Sequence, residues 1–167
     1  MNSIVFVSDN KLFFDYYGFK KAIAERQATV AEMESRILEN MFEKIALIQS
    51  NYEFFEIHIS LFAFSITALN KHKNFIKTFS SQTMLYEQKL TVVHVYYTPK
   101  IIDSVVRIIG KLFRQTAYYP EVVFHSKSES TGKLQELFAR VSPPPVADNE
   151  EPEIQDDLLQ EELLQEY

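Results

Sequence analysis

A run of apolar residues at helical spacing sets the first constraint. Val30, Met33, Ile37, Met41, Ile45 and Ile48 recur at steps of three and four, and Glu and Lys fill the other face. The stripe predicts an amphipathic helix over residues 20–50, which no Gly or Pro interrupts. A face that apolar needs a second layer to cover it.

Strand-like segments supply that layer. In residues 3–17, Ile4 and Phe6, then Leu12, Phe14 and Tyr16, alternate around the turn chemistry of Ser8-Asp9-Asn10-Lys11. Phe55, Ile57, Ile59 and Leu61 alternate with Glu56, His58 and Ser60, so residues 53–67 read as a strand. Lys71-His72-Lys73 and Asn74 read as a turn, and Ile76–Phe79 as a further strand. Residues 89–97 are rich in β-branched and aromatic side chains and form the strongest strand signal.

A helix is expected next, with Thr98 as N-cap and Pro99 at its first position. Ile101, Val105, Ile108 and Leu112 mark one apolar row and Ile102, Val106, Ile109 and Phe113 its neighbour. Pro120–Phe124 reads as a short strand. Ser128 or Ser130 would cap a last helix whose apolar face is Leu134, Leu137, Phe138 and Val141. Ser142-Pro143-Pro144-Pro145 stops it. From residue 20 the order is helix, strand, strand, helix, strand, helix. The expected fold is α+β, a small sheet with helices on one face. Residues 1–25 form an N-terminal extension with a β-hairpin, 26–141 the domain, and 142–167 a disordered acidic tail.

Charge divides at the same boundary. All 17 Lys and Arg lie at or before Arg140, whereas nine of the 23 acids lie in 142–167. The net −6 therefore separates into +3 for the body and −9 for the tail, and Lys71–Arg140 alone carries +6. Such asymmetry points to an anionic partner for the body. An ordinary mixed surface would look the same. With no Cys, disulfides and thiolate chemistry are excluded, which fits a reducing compartment. The most apolar stretch, Phe54–Leu69, is broken by Glu56, His58, Ser60, Ser65 and Thr67, so no membrane span is expected. The N-terminus resembles neither a secretory signal nor a transit peptide. The cytoplasm is the expected location, with a mitochondrial or other organellar matrix as the alternative.

No catalytic signature appears, and the chain is not expected to be an enzyme. Three glycines, Gly18, Gly110 and Gly132, build no phosphate loop. His58, His72, His94 and His125 form no HxxxH or HExxH pattern, so neither a metal site nor any cofactor is expected. His58 and His94 fall within strands as structural residues, and His72 and His125 are expected to be exposed. One constellation suggests binding. Lys100, Ser104, Arg107, Lys111 and Arg114 share one helix face opposite the apolar rows, an arrangement suited to a phosphate backbone.

Further residues carry a family resemblance. Ile109-Gly110-Lys111-Leu112 is followed by Tyr119-Pro120-Glu121-Val122-Val123-Phe124, a polar turn from Ser126 to Thr131, Gly132, and a helix from Leu134 to Phe138. Upstream, Arg36-Ile37 with Met41, Ile45 and Ile48 matches the pattern of a first helix, and Val92-Val93-His94-Val95-Tyr96 that of a second strand. Together these resemble ribosome-binding factor A, a small-subunit assembly factor with a KH-type fold. The match is strongest over residues 107–138. The family's Ala-x-Gly kink would fall at Ile101-Ile102-Asp103 and is absent, and Leu69–Gln88 is an insertion. The resemblance implies a KH-like α-β-β-α-β-α core and a non-enzymatic factor that binds small-subunit rRNA during assembly or maturation. It implies an rRNA face of Lys100, Arg107, Lys111 and Arg114, extended by Lys127 and Lys133, with Tyr118 and Tyr119 placed to stack on bases.

The alternative is a protein-interaction module, an adaptor or chaperone-like domain. It would use the long N-terminal helix and the tail, where Leu158-Leu159-Gln160-Glu161 recurs as Leu163-Leu164-Gln165-Glu166.

Overall fold

The computed structural model describes residues 4–25, 28–86, 89–103, 106–107 and 120–138. The chain opens with the expected hairpin, β1 (Val5–Ser8) and β2 (Lys11–Asp15), paired antiparallel. Asp9 takes the left-handed conformation at the turn (φ 53°), which a short side chain able to hydrogen-bond locally tolerates.

The long helix of the sequence reading is two helices, α1 (Tyr16–Glu25) and α2 (Val30–Gln49). Thr29 restarts the helix through a capping box. Its hydroxyl accepts from the Glu32 N–H at 3.2 Å, and the Glu32 carboxylate accepts from the Thr29 N–H at 3.0 Å. Asp15 starts α1 early by accepting from the Tyr17 N–H at 3.1 Å, so Tyr16 is helical rather than extended.

After β3 (Phe55–Ser60) come α3 (Ile66–Lys71) and α4 (Lys73–Thr83), where the sequence suggested continued strand, a turn and another strand. Past Ser60 the chain turns, the Phe64 N–H donating to the Leu61 carbonyl at 3.0 Å with Ala63 at φ 61°. Ser65 then caps α3, accepting from the Ala68 N–H at 3.3 Å. Phe75, Ile76, Phe79, Ser80 and Thr83 meet the interior at helical steps, so residues 76–79 lie in α4. A 3₁₀ turn (Met84–Tyr86) leads to β4 (Leu90–Tyr96). The described chain closes with β5 (Glu121–Phe124) and α5 (Lys127–Leu137).

The five strands lie in chain order in one sheet. β2–β3, β3–β4 and β4–β5 are all parallel. The α+β class is as read. The order differs from the KH-like one because α3 and α4 separate the two central strands and return the chain parallel. The N-terminal hairpin is part of the sheet, since β2 pairs with β3 from Lys11↔Glu56 to Asp15↔Ser60.

Alternation along the strands divides the interior in two. Leu12, Phe14, Phe55, Ile57 and Leu90 join the α2 residues Met33, Ile37, Met41, Ile45 and Ile48, all essentially buried. On the opposite face, Phe6, Phe13 and Tyr96 pack against Leu134 and Phe138. Helices therefore cover both faces, not one, because α5 buries an apolar pair of its own. Ser126, rather than Ser128 or Ser130, precedes that helix, and its N–H donates to the Glu129 carboxylate at 3.1 Å. Among the described residues no helix is long and apolar enough to cross a membrane.

Candidate interaction surface and a buried histidine cluster

Four large apolar side chains are exposed at one end of the sheet. Leu47 (60%), Tyr52 (42%), Phe54 (48%) and Leu85 (80%) belong to the end of α2, the approach to β3 and the 3₁₀ turn before β4. Local bonds hold these segments together. The Tyr52 N–H donates to the Ile48 carbonyl (2.9 Å), the Phe55 N–H to Lys89 (2.9 Å), and the Asn10 amide to the Phe54 carbonyl (3.3 Å). Tyr86 stands edge-on to Phe55 at 5.4 Å and stacks on Phe42 of α2 at 6.2 Å. Single exposed apolar residues are ordinary, but these four lie on segments that adjoin one another.

Of the expected cationic row Lys100 and Arg107 are described, and of its extension Lys127 and Lys133. Lys100 and Arg107 are exposed, as the helical pattern predicts. Their segment turns Ile101 inward and lines an apolar hollow on the α4 side of the sheet with Ile102 and Val106. Lys127, half-buried, and Lys133, exposed, lie on α5, over the opposite face. Lys111, Arg114, Tyr118 and Tyr119 fall outside the described residues, as do Val141 and the tail. Thr98 does not cap the following helix. Its hydroxyl donates to the His125 carbonyl at 2.8 Å, and helical backbone begins at Ile102.

Sequence spacing missed a polar cluster under α5. His58 and His94 are directly opposite in the β3–β4 register, so their rings stack at 4.6 Å. Glu56, two residues before His58, shares its face of the sheet. His125 follows β5 and stacks on His94 and on Tyr96. Expected to be exposed, His125 is buried, because its N–H and carbonyl are tied to Val95 and Thr98. Phe138 closes the cluster edge-on to His58 at 5.2 Å.

The hydrogen bonds run in one direction. The Lys133 ammonium has no acceptor, so at 3.1 Å it donates to His125 Nδ1. A neutral His125 then carries its proton on Nε2 and donates to His94 Nδ1 at 2.9 Å. His94 Nε2–H is left facing Glu56 Oε1 at 3.5 Å. His58 Nδ1 pairs with the Tyr96 hydroxyl at 2.8 Å, while buried His58 Nε2 has no hydrogen-bond partner among the described residues. Burial, with neighbouring His94, Lys11 and His125, lowers His58 to about 3, so its ring is neutral at pH 7. Burial also lowers His125, aided by Lys133 and His94 and opposed by Glu129.

Comparison of the chain with family models, curated proteins and solved structures returns no match.

Proposed function

We propose that this chain is a non-enzymatic protein-interaction module that docks an apolar partner surface on its Leu47–Tyr52–Phe54–Leu85 end. The carrying observation is the exposure of these four side chains on segments bonded to one another. The inward row of α2 is consumed by the core, so that helix contributes Leu47 from its outer side. Aromatic residues are enriched among interface anchors, and Tyr52 and Phe54 are suited to that role.

A second reading rests on Lys100 and Arg107, both exposed on a segment whose Ile101 is buried. It is the rRNA-binding assembly factor that residues 107–138 resemble, and it requires affinity that falls steeply with salt.

Gradient sedimentation of the tagged full chain in native lysate separates the two. The interaction reading expects Phe54→Glu with Leu85→Glu to release the chain from its complex, and Lys100→Glu with Arg107→Glu to leave it bound. Salt-sensitive migration with small-subunit precursors, abolished by the second pair and not the first, would replace it with the RNA reading.

A further inference from the structure

We propose that Glu56, His58 and His94 form a binding site for one divalent transition-metal ion of the zinc class, with a coordination position left to water. The site lies on the sheet face under α5 and is independent of the interaction reading.

One carboxylate oxygen and one nitrogen from each ring lie within 4.8 Å of one another. Glu56 Oε1 is 3.5 Å from His94 Nε2 and 3.8 Å from His58 Nε2. Around a tetrahedral zinc with bonds of ~2.1 Å, neighbouring donors stand ~3.4 Å apart. Two of the three separations lie near that spacing; the third stays within 4.8 Å, and the stacked rings of His58 and His94 must turn for both lone pairs to meet one ion. The backbone already sets their positions, with His58 and His94 held by a strand register and Glu56 by the β3 pleat.

The buried His58 Nε2, unpartnered among the described residues, is the observation that calls for a ligand. His58 is 1% exposed, and an orphaned buried nitrogen is costly. A metal would take its lone pair. The outer contacts fit as well. Ligating imidazoles usually donate their other N–H to a second group. Here His58 Nδ1 meets Tyr96 and His94 Nδ1 meets His125. The Lys11 ammonium stands 4.0 Å from Glu56 Oε2, leaving Oε1 to the rings. Glu56 and His94 are about one-fifth exposed, which gives the ion an entry and a water position. Two imidazoles and a carboxylate, with no thiolate in the chain, suit zinc, cobalt or nickel over soft monovalent copper.

Loading reverses the hydrogen-bond chain. His94 must present a bare Nε2, so its proton moves to Nδ1 and is donated to His125 Nε2. His125 then carries its proton on Nδ1, turned from Lys133 toward Glu129 Oε1, now 3.8 Å away. The number of protons on the two rings is unchanged.

The test is calorimetric titration of chelator-stripped full-length chain with zinc chloride, alongside Glu56→Gln and His94→Gln. Each variant keeps the acidic tail, so weak carboxylate binding cancels. The expected result is one site in the wild type, weakened in either variant by at least the ~10–100-fold that even an outer-shell partner is worth. The imidazole ¹⁵N shifts of the wild type should move at His58 Nε2 and His94 Nε2, with the proton appearing at His125 Nδ1. This second readout needs no variant to fold. Wild-type binding equal to that of correctly folded variants, or unmoved ¹⁵N shifts at saturating zinc, would overturn the proposal.

Discussion

Replacing Ser130 with Ala isolates the joint between α5 and the end of β4. Ser130 is fully buried, and its hydroxyl accepts from the Tyr97 N–H at 2.8 Å. Tyr97 sits just past the strand with φ 52° and is itself 5% exposed, so its N–H has no route to water. Stranding it costs about 1–3 kcal/mol. The second bond of the hydroxyl, to the Ser126 carbonyl at 2.6 Å, contributes little, since that carbonyl also accepts the Ser130 N–H at 3.1 Å. Alanine returns up to about 0.5 kcal/mol of helix propensity. The expected net loss is about 0.5–2.5 kcal/mol, or roughly 1–10 °C in Tm for a chain of this size. Urea unfolding followed by circular dichroism measures it. Exposed Ser128→Ala is the control and should stay within ~0.5 kcal/mol. A loss below ~0.5 kcal/mol for Ser130→Ala would refute the claim that this hydroxyl holds the strand end.

Two further predictions concern the α2 layer. Thr29→Ala removes the acceptor of the capping box and should cost about 1 kcal/mol in the same unfolding assay. Burial, reinforced by Lys71, lowers His72 to about 4, while its ring lies against Phe19 and Tyr16 and its Nδ1 is 3.3 Å from the Glu34 carboxylate of α2. An unfolded histidine takes a proton near pH 6.5 and the folded one does not until about 4. Its contribution is therefore complete above pH 6.5 and lost as pH falls toward 4, up to about 3 kcal/mol. Subtracting the pH–stability profile of His72→Gln from that of the wild type should leave this loss. A flat difference would contradict it.

Much of the fold could be read locally. The α2 row named from spacing is buried at Met33, Ile37, Met41, Ile45 and Ile48 because one helix face meets one sheet face. Residues 76–79 read as strand because Ile76 and Phe79 alone are too few to set a period. The helical period appears only once Phe75, Ser80 and Thr83 are included. His72 was expected to be exposed for its lysine neighbours, yet it joins two helices and points inward. The histidine cluster left no local signal. His58 and His94 meet only because α3 and α4 bring β4 back parallel to β3 in one register. The exposed apolar end was equally hidden, since Leu47, Phe54 and Leu85 resemble core residues until the packing leaves them outside.

Site-specific photo-crosslinking in living cells tests the interaction claim most directly. A photoreactive residue is placed at Leu85 in one full-length chain and at Arg107 in another. Docking through this end should give a discrete protein adduct from position 85 that disappears when Phe54→Glu is added, and no RNA adduct from position 107. Adducts to RNA from position 107, with none to protein from position 85, would contradict it.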